Sequence, residues 1–203
     1  MLYAHSNIFP PRYALREGKY HFIGIKVDRA ILEKQTRLFL SESPMEILPD
    51  LWTSGGTTER TEPMGSSPHL YIKENDTWHP DPYLDDISLV RKTSQGLIVI
   101  CGCCHAGILN TLFHVQNYFD QPIISVIGGL HLLNADEEYL AHVIDVFKKR
   151  FAGLSLFVNH CSGDKAYDSL SRKLGDKIRT FPAGSVIIDD NNIRELHNGC
   201  RER

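Results

Sequence analysis

Gly96-LIVICGCC-His105 is a short, almost continuous apolar run that ends in small residues and a histidine. Two later stretches repeat the design, Pro122-IISVIGGL-His131 and Gly153-LSLFVN-His160. Runs of this length without polar alternation are expected of parallel strands covered on both faces. A helical pattern follows each one. After the first, Ile108, Leu109, Leu112, Phe113 and Phe119 recur at helical spacing and predict a helix over Ala106 to Phe119. After the second, Leu140, Val143, Ile144, Phe147 and Phe151 form an apolar stripe, with Asn134 and Glu137 as a variant capping box. After the third, a helix is expected from Ser162 as N-cap through Ala166, Leu170 and Leu174, stopped by Gly175. The fold expected is α/β. In such sheets, strand ends of one polarity form one edge, and ligands sit in the crevice outside it. Three imidazoles delivered to one edge point to a metal site.

With 203 residues the chain is long enough for one domain with a proper core. Its 42% hydrophobic and 23% charged residues place it among ordinary globular proteins rather than disordered ones. A net charge of −3 leaves no excess of Lys and Arg to neutralise phosphates, so nucleic acid is not an expected partner. No apolar run reaches the roughly 18–20 residues of a membrane span, and MLYAHSNIFPPRY lacks the plan of a signal peptide. The expectation is a cytoplasmic protein. Cys101, Cys103 and Cys104 crowd one strand end, Cys161 adjoins His160 and Cys200 lies in a polar tail over 191–203. That clustering is unlike the spaced framework of a disulfide-stapled domain, and reduced thiols are expected.

The regular strand–helix repeat occupies residues 96–190, whereas 1–95 reads as an irregular, β-rich half of the same domain. Strand candidates there are Leu2–Ala4, His21–Val27, Glu46–Trp52, His69–Lys73 and Ile87–Lys92, the last forming a hairpin through Thr93-SQ-Gly96. Turn clusters fall at Thr53-SGGTTE-Arg60 and Thr61-EPMGSS-Pro68. A final strand pattern spans Ser185 to Asp189. A sheet that begins with so little before it is expected to expose an edge, which favours a homodimer.

His105 sits in Cys101-GCCHA-Gly107, where a strand turns into a helix between small residues. Neutral imidazole is a common ligand for zinc and iron. A lone histidine there would read as a capping residue, but recurrence on three strands favours the ligand reading. His160, in Asn159-HCS-Gly163, repeats the geometry, and Ser162 and Gly163 open a helix whose free N–H groups suit a phosphate or carboxylate. His131 follows a glycine pair and reads equally as a ligand, a substrate-contacting donor or a solvated loop residue. A zinc cluster on Cys101, Cys103, Cys104 and His105 is disfavoured, because alternate strand residues face opposite ways and no CxxC spacing is present. Cys101 and Cys103 read as buried packing residues. Asp85 and Asp86 read as solvated turn acids, with a carboxylate offered to the site as the alternative. There is no GxSxG, P-loop or GxGxxG.

Five segments taken in order resemble the metallo-β-lactamase superfamily, in particular its ribofuranosylaminobenzene 5'-phosphate synthase-like, dihydropterin-linked branch. They are Leu2-YAHSNIFPPR-Tyr13, Asp85-DISL-Val90, Gly96-LIVICGCCHAGIL-Asn110, Val126-IGGLH-Leu132 and Asn159-HCSGDK-Ala166. The resemblance implies an αββα sandwich with one or two divalent metal ions, zinc foremost, at the sheet edge, where metal-activated water attacks the substrate. It places His105 on the third metal motif, His160 on the last, and His131 near a bridging aspartate that has no carboxylate counterpart here. The first metal motif of the superfamily, HxHxDH, occurs nowhere in these residues, so the resemblance implies a partial sandwich without its first strands and metal loop. Thr57-TERT-Glu62 loosely echoes the substrate-side pattern of the branch.

The expected function is therefore that of a metal-dependent hydrolase or transferase acting on a phosphorylated, pterin-like small molecule. His105 and His160 would be ligands, His131 a catalytic helper, and Ser162 and Gly163 substrate contacts. The HxHxDH ligands would come from an N-terminal partner chain. The alternatives are a non-catalytic remnant or binding module of the same fold, and a thiol-based redox or zinc-storage protein built on CxCCH.

Overall fold

The computed structural model describes residues 1–65, 67–189 and 193–196. In chain order its strands are β1 (Leu2–Ala4), β2 (Arg12–Arg16), β3 (Lys19–Phe22), β4 (Leu38–Leu40), β5 (Met45–Leu48), β6 (Leu51–Thr53), β7 (Leu70–Glu74), β8 (Thr77–Pro80), β9 (Leu89–Thr93), β10 (Gly96–Ile100), β11 (Ile123–Gly128), β12 (Ser155–Val158), β13 (Ile178–Thr180), β14 (Val186–Asp189) and β15 (Ile193–Leu196). The helices are α1 (Arg29–Gln35), α2 (Ile108–Phe119), α3 (Glu137–Arg150) and α4 (Asp164–Leu174).

A seven-stranded sheet in the order β13-β12-β11-β10-β9-β6-β5 organises the molecule. Strands β10 to β13 run parallel, and β9, β6 and β5 continue antiparallel. The three apolar runs are therefore neighbours pointing the same way, as their lack of alternation predicts. Leu97, Val99, Val126, Leu156 and Val158 share one buried cluster with Leu109, Leu112 and Val115 of α2, Val143 and Phe147 of α3, and Leu170 of α4. Ile98 and Phe157, which alternate with these, are also buried. Each fully buried aliphatic side chain contributes roughly 1.5–3 kcal/mol through removal from water.

A second, four-stranded antiparallel sheet has the order β3-β2-β7-β8. Tyr20 stacks on Trp78 at 3.6 Å, and Tyr13 meets the same indole edge-on, joining its outer strands across the middle. Strand β3 begins earlier than the apolar pattern suggests, because Glu17 and Gly18, both at positive φ, make a tight hairpin turn. Glu46 to Trp52 is not one strand. It divides into β5 and β6 around Asp50, which takes φ 60°. Strand β14 pairs with β15 rather than joining the large sheet, whose last strand is β13. Apart from β15, the residues of the polar tail, Cys200 among them, lie outside the described residues.

Two helix starts differ from expectation. Asp136, not Asn134, caps α3, accepting from the Tyr139 N–H at 2.8 Å with Glu137 and Glu138 in the first turn. Gly163, not Ser162, occupies the N-cap of α4. Among the described residues no helix is long and apolar enough to cross a membrane.

Candidate functional site

The C-terminal ends of β10, β11 and β12 lie side by side, and each leads into a residue held left-handed: Cys104 at φ 60°, His131 at φ 49° and His160 at φ 51°. For a residue with a Cβ this conformation costs about 1–2 kcal/mol, and it persists where the surroundings over-determine it. Gly128 makes the crowding possible. At φ 126°, a Cβ there would run into the carbonyl of Cys101 on the neighbouring strand.

His105 is half-buried in the turn between β10 and α2. Tyr83 stacks on its ring at 4.5 Å, and the ring of His131 lies 4.2 Å away at 46°. Burial lowers the pKa of His105, against the pull of Asp86, Asp81 and Asp85. His131 is pushed down to about 4, first by burial and then by the neighbouring histidines His105, His160 and His69. Its Nε2 meets the Ser67 hydroxyl at 3.0 Å. Ser67 is itself held by Tyr83, whose hydroxyl donates to the Ser67 carbonyl and accepts from its N–H. Both imidazoles are thus neutral near pH 7, the form that binds metals.

Residues 57–65 are fastened beside these rings. Asn110 on α2 bonds both the N–H and the carbonyl of Glu62, while Arg60 donates to the carbonyls of Thr57, Pro82 and Tyr83. Tyr139 reaches the Pro63 carbonyl, and His142 meets Glu62 at 2.7 Å. Gly65 passes so close that a Cβ would stand 2.7 Å from that of His131.

Asp86 corrects the sequence reading. It is no solvated turn acid: its carboxylate accepts from the Ala106 N–H at 2.8 Å, ahead of α2 and next to His105, and burial raises its pKa. The hairpin register held the signal, because Ile100 pairs with Leu89, so residues before Leu89 must flank those after Ile100. Asp85 joins Asp81 in gripping Arg12, at 2.7 and 3.0 Å.

His160 is exposed and does not contact His105 in the same way. Its ring lies with the thiols of Cys103 and Cys161, all donor atoms being within 4.8 Å of one another. Among the described residues this is the group of three donors close enough to share an ion, and neither His105 nor His131 belongs to it. The reading of Cys103 as a buried packing residue is corrected: it is half-buried at the turn, whereas Cys101 and Cys104 are buried. Ser162 is also differently employed. Its hydroxyl accepts from the Leu130 N–H and donates to the Asn159 carbonyl, and its own N–H bonds that same carbonyl, so it ties two strand ends together. Gly163 keeps the place expected of it, at the start of α4 with no side-chain cap, beside a cavity of about 310 Å3 bordered by His160, Tyr167 and Phe181.

A divalent cation is compatible with the histidine edge. Nδ1 of His105 and Nδ1 of His131 are both buried and find no hydrogen-bond partner among the described residues. An unmet buried polar group costs about 1–3 kcal/mol, a penalty that a cation would remove. The donor chemistry, neutral imidazole, suits zinc-type ions.

These features define the metallo-β-lactamase fold. A crystal structure of a metal-dependent hydrolase of the β-lactamase superfamily superposes with a TM-score of 0.76 at 24% identity, over 90% of this chain and 68% of that one. In sequence the chain is similar to two proteins of Methanocaldococcus jannaschii. It is 29% identical over 197 residues to the 7,8-dihydropterin-6-methyl-4-(beta-D-ribofuranosyl)-aminobenzene-5'-phosphate synthase of Methanocaldococcus jannaschii, covering 92% of this chain. It is 30% identical over 170 residues, 83% of the chain, to an uncharacterized protein of the same organism. The chain spans 65% and 61% of the lengths of these two relatives, less than two thirds of either. No family model matches it.

Proposed function

We propose that the chain serves a metal-dependent reaction on a phosphorylated, pterin-like small molecule at the edge formed by β10, β11 and β12. The observation that carries this reading is the His105–His131 pair, two neutral imidazoles in ring contact whose buried Nδ1 atoms find no partner among the described residues. The similarity to a 7,8-dihydropterin-6-methyl-4-(beta-D-ribofuranosyl)-aminobenzene-5'-phosphate synthase supports the substrate class. When bound, a zinc-type cation supplies Lewis acidity and lowers the pKa of water.

The chain's own residues do the rest. His105 and His160 offer ligand nitrogens, and His131 is a further ligand or an electrostatic helper oriented by Ser67. Tyr83 covers one face of His105 and excludes water there. Asp86 holds the turn that presents His105. Gly163 leaves the first N–H groups of α4 open beside His160, where a phosphate group suits the positive end of the helix.

Zinc uptake by the purified chain tests the reading, carried out in a Cys103→Ser/Cys161→Ser background so that thiols contribute nothing. Uptake measured by equilibrium dialysis is expected to weaken roughly tenfold or more when His105→Ala is added. Equal affinity with and without His105 would overturn it.

A further inference from the structure

Three turns that are far apart in sequence are bound tightly together at the end of the sheet. The Cys161 thiol donates to the Cys103 carbonyl at 3.3 Å, and the Gly129 N–H donates to the Gly102 carbonyl at 3.0 Å. The Leu133 N–H donates to the Cys161 carbonyl at 3.2 Å. A Cβ on Gly129 would stand 2.7 Å from both the Cys161 sulfur and the Gly102 oxygen, so only glycine lets the turns meet. The result brings together two half-buried thiols and an exposed imidazole, the latter held left-handed at φ 51°.

We propose that Cys103, Cys161 and His160 form a binding site for a thiophilic cation of the zinc class, distinct from the His105–His131 pair. The donor atoms already lie within 4.8 Å of one another. Tetrahedral zinc with two sulfurs and one nitrogen needs separations of about 3.5–3.8 Å, so the site closes by side-chain movements of about 1.3 Å or less. Two thiolates and one imidazole select a soft or borderline ion over magnesium or calcium. Each thiol releases its proton to solvent on binding. Three protein donors leave the fourth position open, and the exposed His160 beside its cavity gives the ion a route of entry. His160 is common to this site and to the proposed catalytic one, so occupation here withdraws its nitrogen from the catalytic ligand set. The inference does not depend on the catalytic reading.

Titration of the reduced full chain with Cd2+ tests it through the ultraviolet thiolate-to-metal charge-transfer band. A band that saturates at one equivalent and is displaced by Zn2+ is expected. Cys103→Ser and Cys161→Ser are each expected to weaken binding roughly tenfold or more, with a smaller loss for His160→Ala and none for His105→Ala. No band in the wild-type chain, or a band unchanged in Cys103→Ser, would overturn the site. X-ray absorption of the zinc-loaded wild-type chain needs no variant: two sulfur neighbours support the proposal and none refutes it. The dialysis experiment on His105 reads the catalytic proposal separately, so either can fail alone.

Discussion

The imidazoles of His105 and His131 lie 4.2 Å apart, centroid to centroid, with their planes tilted by 46°. A helix and a strand separate them in the chain, and each has a buried nitrogen without a partner among the described residues. Packed this closely and shielded from water, the two rings disfavour taking up protons, His131 above all.

That condition makes the metal-free fold sensitive to acid. His131 has a folded pKa of about 4 against an ordinary 6.5. The unfolded chain therefore takes up a proton below pH 6.5 that the folded chain refuses until about pH 4. Stability is lost as pH falls through this window, by about 2–3 kcal/mol. Urea unfolding with a chelator at pH 7 and pH 4.5 should show that loss in the wild-type chain. His131→Asn, which tolerates the left-handed backbone, should show less of it.

Arg12 joins Asp81 and Asp85 to the carbonyls of Asn7 and Ile8, with its own side chain only 12% exposed. Removing it strands two shielded carboxylates. Arg12→Ala is expected to cost about 3–5 kcal/mol, read as a lower denaturation midpoint. A double-mutant cycle with Asp85→Ala should recover part of that loss.

At Gly128, the left-handed backbone and the neighbouring Cys101 carbonyl both exclude a side chain. Gly128→Ala should destabilise by about 1–3 kcal/mol or more. The shift should appear in thermal melts, with Gly153→Ala, where a Cβ meets open space, as a control.

Asn110 makes both hydrogen bonds to the Glu62 backbone and is itself buried. Asn110→Ala leaves those backbone groups unpaired, at about 1–3 kcal/mol. Limited proteolysis should then cut within 57–65 faster than in the wild-type chain. An unchanged cleavage rate would mean that Arg60 and Tyr139 suffice.

The central strands were legible because apolar runs buried on both faces leave a dense local pattern. Strands β2, β4, β8, β13 and β15 and helix α1 were not. Helix α1 buries no residue, and β13 is too short for any period to register. The three histidines could be placed at strand ends from their positions alone. How they divide was hidden: His105 pairs with His131, while His160 turns to Cys103 and Cys161. Reasoning on alternation within a strand could not reach this arrangement. Cys103 lies past the end of β10, and its thiol partner stands 58 residues away. Asp86 was closer to view, since hairpin register alone brings it alongside the turn before α2.

The left-handed backbone at Cys104, His131 and His160 has a consequence for directed evolution. A library of this chain scored for thermal survival alone should drift toward glycine or asparagine at the two histidine codons, because neither residue resists that conformation, while Cys104 is held by its place in the core. Hardier clones would emerge with the rim emptied of imidazoles, so ruggedness and chemistry pull in opposite directions at the same two places.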